Sequence, residues 1–467
     1  MHTQISEEKP FTDGRIRVGD ARQPRGERKR ADYILYYKSN IPLAILEAKD
    51  NNHSVSSGID QSIEYAKILD LLFAYSSNGD GFVEHDLTGM SDPIEKEFSM
   101  EDFPSPEDLW ERYKKWKNIT ESHEQIITEA YNISQNVKKP RYYQQIAINR
   151  SVEAIAKGRK RILLVMATGT GKTYVAFQII WRLWKANTRK NKPYRILYLA
   201  DRNILIDQVM NNDFKEFKGV MTKVRKREVD KSYEIYMALY QGVTGEEDYK
   251  NIYKDFSPDF FDLIVVDECH RGSAAADSAW REILDYYSSA AQIGMTATPK
   301  ETKDVSNIDY FGEPIYTYFL RQGIEDGFLA PYKVIKVSLD SDEGWRPTRG
   351  MKDSLGREIP DKEYTSKEYD RTLVIDERTK LVSKKITEFL KNFDRFAKTI
   401  VFCVDIEHAE RIPPRSRLRQ ARTPGSERRA RVRAPEEDQS RERPARAGGE
   451  DQEGKGAVAG FRRGEAL

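Results

Sequence analysis

The 467-residue chain is 39% hydrophobic and 33% charged, and its 77 basic and 75 acidic side chains leave a formal net charge of +2. That length suggests about three compact units at roughly 150 residues per domain, and the near-neutral balance leaves only local clusters to argue for a nucleic-acid partner. No apolar run approaches the ~18 residues of a membrane span, MHTQISEEKP lacks the basic and apolar regions of a signal peptide, and Cys269 and Cys403 are too few for a disulfide framework or a four-cysteine zinc site. A cytoplasmic protein without membrane contact follows, with any metal held by oxygens.

In chain order, short strands and helices are expected over residues 1–95, then a polar helical linker over 96–137. Arg15, Arg17, Arg22, Arg25, Arg28, Lys29 and Arg30 form either a phosphate-contacting cluster or a solvated loop. They lead into ADYILYYKSNIPLAILEAKD (31–50), read as two strands around a turn at Lys38, Ser39 and Asn40. With the pairing centred between Ser39 and Asn40, equal steps either way reach Asp32 and Glu47, so two carboxylates lie side by side. Lys49 shares the face of Glu47. Apolar residues on both faces of the second strand, Leu43 and Ile45 against Ala44, Leu46 and Ala48, make it central and buried. Adjacent carboxylates repel unless a proton or cation sits between them, and a hard divalent ion such as Mg²⁺ on Asp32 and Glu47 is the economical solution. Such an ion can generate hydroxide and stabilise a pentavalent phosphate, with Lys49 positioning the nucleophile or neutralising charge. On spacing alone, a surface hairpin with ordinary ion pairs is the alternative. Further on, QSIEY (61–65) puts Gln61 and Tyr65 one helical turn apart on one face.

Over 138–331, apolar strands RILLVM (161–166), RILYLA (195–200), DLIVVDE (262–268) and AQIGMTAT (291–298) alternate with amphipathic helices, which implies a doubly wound parallel sheet. ATGTGKT (167–173) joins a buried strand to a helix, the setting of a phosphate-binding loop, although Met166 replaces the first glycine of the strict pattern. Thr168, Gly169, Thr170 and Gly171 form the loop, its N–H groups turned toward phosphate; Lys172 reaches the β and γ phosphates of a nucleotide such as ATP, and Thr173 holds its Mg²⁺. DECH (267–270) ends a buried strand, which makes Asp267 the metal-side carboxylate and Glu268 the group that polarises the attacking water. His270 either couples this site to neighbouring segments or is a structural hydrogen-bonder, and Cys269 is packed. A second α/β unit is expected over 332–412, with the strand YKVIKVSL, a helix over 378–393 and the strand KTIVFC (398–403). The segment 413–467 holds thirteen arginines, one lysine and one aromatic residue, Phe461; it reads as a disordered tail that resembles out-of-frame translation and cuts the second unit short.

ATGTGKT and DECH together resemble superfamily 2 helicases of the DEAD/DEAH-box type. RYYQQIAI (141–148) is similar to their adenine-reading Q motif, which implies Gln144 on the base with Arg141 in support. LADRNILIDQ (199–208) and ALYQG (238–242) resemble motifs Ia and Ib, which touch the nucleic-acid backbone. MTATP (295–299) resembles motif III, which implies that Thr296 and Thr298 link hydrolysis to movement, and IVFCVDIEHAERI (400–412) matches the opening of motif IV. Motifs V and VI have no counterpart in the tail. The D…E-x-K pattern of the early hairpin resembles PD-(D/E)xK nucleases, and QxxxY accompanies that pattern in the restriction subunits of type I enzymes, with nuclease before motor as here. FAYSSNGDGF (73–82), PSPEDLWERY (104–113) and YFGEPIYTYFLRQGIEDGFLAPY (310–332) match further.

The chain thus resembles the HsdR family, restriction subunits of type I restriction-modification enzymes. The resemblance implies an α/β architecture: an N-terminal PD-(D/E)xK-type nuclease domain, a RecA-like parallel-sheet ATPase domain and a partial second RecA-like domain. It implies ATP and Mg²⁺ as cofactors, translocation along double-stranded DNA, cleavage distant from the recognition site by Asp32, Glu47 and Lys49, and methyltransferase and specificity subunits as partners. Family members normally carry more chain before the hairpin, with an acidic residue near the metal; none of Glu7, Glu8 and Asp13 is assigned that role. Two other readings stay open: a helicase or remodelling ATPase whose hairpin is only structural, and an inactive truncated fragment.

Overall fold

A computed structural model describes residues 4–16, 25–133, 138–189, 193–200, 203–224, 230–239, 252–269, 281–299, 307–337, 346–352, 356, 358–364, 376–394, 396–403 and 406–411. The chain divides into two compact units, the first ending at Tyr332 and the second beginning at Lys333.

Within the first unit, β1 (Ile5–Pro10), β2 (Arg30–Lys38), β3 (Ile41–Ala48), β4 (Phe73–Ser77), β5 (Gly81–Asp86) and β6 (Glu95–Ser99) form a six-stranded sheet in sequential order. Only the β3–β4 pair is parallel, and α1 (Ile59–Leu69) is the crossover that this pairing demands. β3 is apolar on both faces because both are covered: Ile45 packs with Ala66 and Leu69 of α1, while Ala44 packs with Leu109 and Trp110 of α2 (Pro106–Lys117). Ser105 caps α2 in a reciprocal arrangement with Asp108, and α3 (Glu121–Ile127) follows.

Seven strands make the second sheet of this unit: β7 (Arg161–Met166), β8 (Ile196–Ala200), β9 (Met221–Lys223), β10 (Ile235–Leu239), β11 (Leu263–Asp267), β12 (Ala291–Thr296) and β13 (Tyr316–Tyr318). Their order is β13-β7-β12-β11-β8-β10-β9, and every pairing is parallel. A parallel sheet needs both faces covered. On one side lie α4 (Tyr142–Ala156) and α5 (Lys172–Thr188), which contribute Tyr143, Ile148, Val175 and Ile179 to the core. On the other side, Phe256, Phe261, Leu284 and Tyr287 pack against Leu163, Tyr236 and Ile264. The helices α6 (Asn203–Asn211), α7 (Asn307–Phe311) and α8 (Leu320–Glu325) also belong to the unit, as does a helical stretch over 281–286.

In the second unit, α9 (Asp376–Asn392) forms where the apolar spacing predicts a helix, followed by α10 (Ile406–Arg411). Among the described residues the strands expected at YKVIKVSL and KTIVFC are not formed: residues 332–337 and 396–403 carry no ladder. A parallel strand is held only by its neighbours, and among the described residues of this unit the one bridge is the isolated Lys352–Glu358 pair. Ile400 and Phe402 are correspondingly 78% and 90% exposed. The tail 413–467 lies outside the described residues.

Candidate functional site

The early hairpin keeps the register expected from its turn, because the two irregularities in its ladder, between Leu35 and Tyr36 and between Tyr36 and Lys38, cancel. Tyr33 pairs with Leu46, Ile34 with Ile45 and Leu35 with Ala44, which carries Asp32 opposite Glu47. The Asp32 backbone N–H donates to Glu47 Oε1 at 3.4 Å, and the Ala48 N–H donates to Asp32 Oδ2 at 2.9 Å. Glu47 is only 1% exposed. Its carboxyl is pushed up to about 7, first by burial and then by the charge of Asp32, while the Asp32 N–H and the Lys49 ammonium pull the other way. Lys49 Nζ donates to Gln61 Oε1 at 3.1 Å, and burial pushes up the hydroxyl of Tyr65, one turn along the same helix. So α1 lays Gln61 and Tyr65 beside the Glu47–Lys49 edge of β3. A buried carboxylate repelled by a neighbouring one, in an all-oxygen pair, fits a hard divalent cation held by Asp32 and Glu47. Among the described residues no cluster of three or more His, Cys, Asp and Glu gathers. Glu8 is engaged with Arg30 at 3.4 Å and Asp13 with Arg25 at 3.5 Å. Of the basic cluster, Lys29 pairs with Glu64 at 2.6 Å, and Arg17 and Arg22 lie outside the described residues.

At the other sheet, β7 runs into the loop 167–171 and then α5. Gly169 and Gly171 have φ of +83° and +86°, a region that L side chains rarely adopt. A Cβ on Gly171 would also stand 2.6 Å from Gln144 Nε2. Thr170 closes the turn, its Oγ1 donating to the Ala167 carbonyl at 2.6 Å. Lys172 begins α5, is 8% exposed, and pairs with Glu268 at 3.3 Å; Thr173 sits in the same first turn. Asp267 ends β11, two strands from β7, and its carboxylate accepts from Tyr198 OH at 2.8 Å and from the Glu268 N–H at 2.9 Å. Burial, ahead of the Glu268 charge, raises the Asp267 carboxyl. Glu268 adopts a φ of +53°, a left-handed backbone that costs a non-glycine residue on the order of 1 kcal/mol and turns its carboxylate off the strand toward the lysine. Two glycines in the left-handed region before a helix, a buried ammonium, and a carboxylate pair at the end of β11 fit a nucleotide triphosphate and its cation.

The structure therefore brings Asp32, Glu47, Lys49, Gln61 and Tyr65 together, and separately gathers the loop, Lys172, Asp267 and Glu268. Thr296 ends β12 between them in sheet order, accepting from the Thr298 N–H at 3.1 Å and donating to the Thr298 carbonyl at 3.0 Å. Gln144 is committed within the protein: its Oε1 accepts from Arg141 N at 2.9 Å and its Nε2 donates to the Thr170 carbonyl at 2.8 Å. Arg141 stacks over Phe328 at 4.5 Å and donates to Tyr143 OH at 3.2 Å. Cys269 is packed, with no exposed surface. His270, residues 201–202 of the motif Ia segment, 240–242 of the motif Ib segment and 404, 405 and 412 of the motif IV segment lie outside the described residues. Sequence reasoning missed Tyr198, although a tyrosine in the buried strand RILYLA needs a hydroxyl partner, and that partner is Asp267.

A parallel sheet with a glycine-rich loop after one strand and an Asp-Glu pair after another has the RecA-like architecture of helicase-type domains. The family described as "Type III restriction enzyme, res subunit" matches residues 137–301. The fragment structure of an HsdR subunit of a type I restriction enzyme from Vibrio vulnificus YJ016 is 42% identical, with a TM-score of 0.66 over 89% of this chain and 69% of that one. The type I restriction enzyme EcoAI endonuclease subunit of Escherichia coli is 55% identical over 412 residues, 88% of this chain and 50% of that protein. The EcoKI endonuclease subunit of Escherichia coli K12 is 27% identical over 83% of this chain and 38% of that protein. The chain belongs to the HsdR family of type I restriction enzyme subunits. It spans half the length of the EcoAI relative.

Proposed function

We propose that the chain carries two chemical centres of a type I restriction enzyme: an ATP-dependent motor on double-stranded DNA and a Mg²⁺-dependent endonuclease that cuts away from the recognition site. The observation that carries this reading is the Asp32–Glu47 pair, hydrogen-bonded across one hairpin and flanked by a Lys49 that Gln61 holds, in the same compact unit as the Lys172–Glu268 phosphate loop. Asp32 and Glu47 would hold the cation of an N-terminal PD-(D/E)xK-type domain; when bound, Mg²⁺ supplies a lowered water pKa and charge neutralisation at the scissile phosphate. The chain's own residues do the rest. Lys49 stabilises the extra negative charge of the pentavalent phosphate, and Gln61 fixes its ammonium in place. In the motor, Lys172 faces the β and γ phosphates, Thr173 and Asp267 lie on the cation side, and Glu268 orients the water. Thr296 and Thr298 link that site to the DNA-binding surface.

No base-reading module is evident in the sequence, so recognition is assigned to separate specificity and methyltransferase subunits. The test is nicking of supercoiled plasmid in Mg²⁺ by the chain and by Glu47→Gln. The variant should lose nicking by at least about 100-fold while retaining ATP hydrolysis, since one buried charge on the cation is removed and the motor is untouched. Equal nicking by both would leave the hairpin purely structural.

A further inference from the structure

A glycine stands close against the carboxylate hairpin. Gly58 stands at the N-terminal end of α1, where a Cβ would lie 2.9 Å from Ser76 Oγ, 3.2 Å from Glu47 Cβ and 3.3 Å from Lys49 Cε. Any side chain would push the helix off β3 or displace those atoms. Ser76, on β4, is wholly buried and is the residue paired with Glu47 across the parallel β3–β4 ladder. Its hydroxyl accepts from the Gly58 N–H at 3.0 Å and donates to the Val55 carbonyl at 2.7 Å. Gly58 has no side-chain oxygen with which to serve the exposed N–H groups of its own helix end, so β4 satisfies one of them from outside. Four residues into the helix, Ser62 Oγ reaches the Ile45 carbonyl at 3.4 Å, a second seat of α1 on β3. Between these two anchors lies Gln61, which holds the Lys49 ammonium.

We propose that Ser76 and Gly58 are positioning residues of the cleavage site: the serine hydroxyl holds the start of α1, and the bare glycine lets it sit near enough for Gln61 to fix Lys49 beside Glu47. This rests on the nuclease reading above. Neither residue touches the phosphodiester; both act through α1. A reacting group displaced by about 1 Å loses on the order of 100-fold in rate. Gly58→Ala, whose methyl group requires those atoms to give by a few tenths of an ångström, should lower kcat for Mg²⁺-dependent plasmid nicking by about tenfold, and Ser76→Ala, which loosens the anchor, by a similar factor. In both, the KM for DNA and the DNA-stimulated ATP hydrolysis should stay within about twofold of the parent, a split that general unfolding would not produce.

The double variant supplies the sharper reading. Removing the Ser76 hydroxyl opens space for the methyl group that Gly58→Ala introduces, so Gly58→Ala with Ser76→Ala should be no slower than Gly58→Ala alone. Parent-like kcat in both single variants, a loss confined to KM, or a double loss equal to the product of the single losses would each overturn the proposal. Lys49→Ala separates the two levels. If it nicks at the parent rate, the nuclease reading fails and takes this one with it. If it is silent while Ser76→Ala and Gly58→Ala cut normally, positioning alone fails.

Discussion

A glutamate of ordinary pKa 4.5 held near 7 in the folded chain ties the chemistry of the hairpin to stability. Between those values the folded state keeps a proton on Glu47 that the unfolded state has released, so the contribution of Glu47 to stability is most favourable below about pH 4.5 and is lost as pH rises through about 7. Glu47→Gln removes that dependence, and in chelator at pH 8 the variant should be more stable than the parent by about 1–3 kcal/mol. Thermal midpoints of both proteins between pH 5 and 8 check this; parallel curves would contradict it. Mg²⁺ at pH 8 should raise the midpoint of the parent and leave that of Glu47→Gln unchanged. The facing of Asp32 and Glu47 was legible in the sequence because equal steps from the turn reach both, a count that survives only because the irregularities at Leu35–Tyr36 and Tyr36–Lys38 cancel. Ser76 and Tyr198 were not, because each is brought to its site by a neighbouring strand that no local spacing announces.

Two elements, α4 and the glycine-rich loop, are coupled through a few hydrogen bonds. Gln144 links them, bonding the Arg141 N–H at one end and the Thr170 carbonyl at the other, and Tyr143 OH reaches the same carbonyl at 3.0 Å. At about 0.5–1.5 kcal/mol for each bond, Gln144→Ala should weaken binding of a fluorescent ATP analogue by about tenfold; unchanged affinity would show that the loop keeps its shape without the amide. The alternation of apolar strands with amphipathic helices announced the parallel sheet. The same logic overreached at YKVIKVSL and KTIVFC, where apolar composition promised strands. Composition reports the wish to be buried, whereas a ladder needs partner strands, and the described residues supply none.

At the scale of the molecule, the hairpin sheet and the parallel sheet belong to one compact unit, joined by polar contacts as well as packing. Asp326, just after α8, accepts from Tyr142 OH and Tyr318 OH at 2.5 Å each, and its carbonyl accepts from the Asp13 N–H of the N-terminal body at 2.7 Å. Phe11, beside Asp13, packs edge-on against Tyr65 at 5.1 Å and Tyr142 at 6.0 Å, while Arg150 forks onto Asp70 at 2.8 and 2.6 Å. Asp326→Ala leaves two part-buried hydroxyls without their acceptor and should cost about 2 kcal/mol, read as a lowered thermal midpoint; an unshifted midpoint would mean that packing alone holds the junction.

Two centres in one unit, each with its own lysine, is the central claim, and Lys49→Ala tests it most directly when plasmid cleavage and DNA-stimulated ATP hydrolysis are measured on the same preparation. Cleavage should vanish while hydrolysis stays within about twofold of the parent, because Lys49 bonds to Gln61 on α1 and Lys172 to Glu268 on the other sheet. Loss of both activities together, or of neither, would contradict the account.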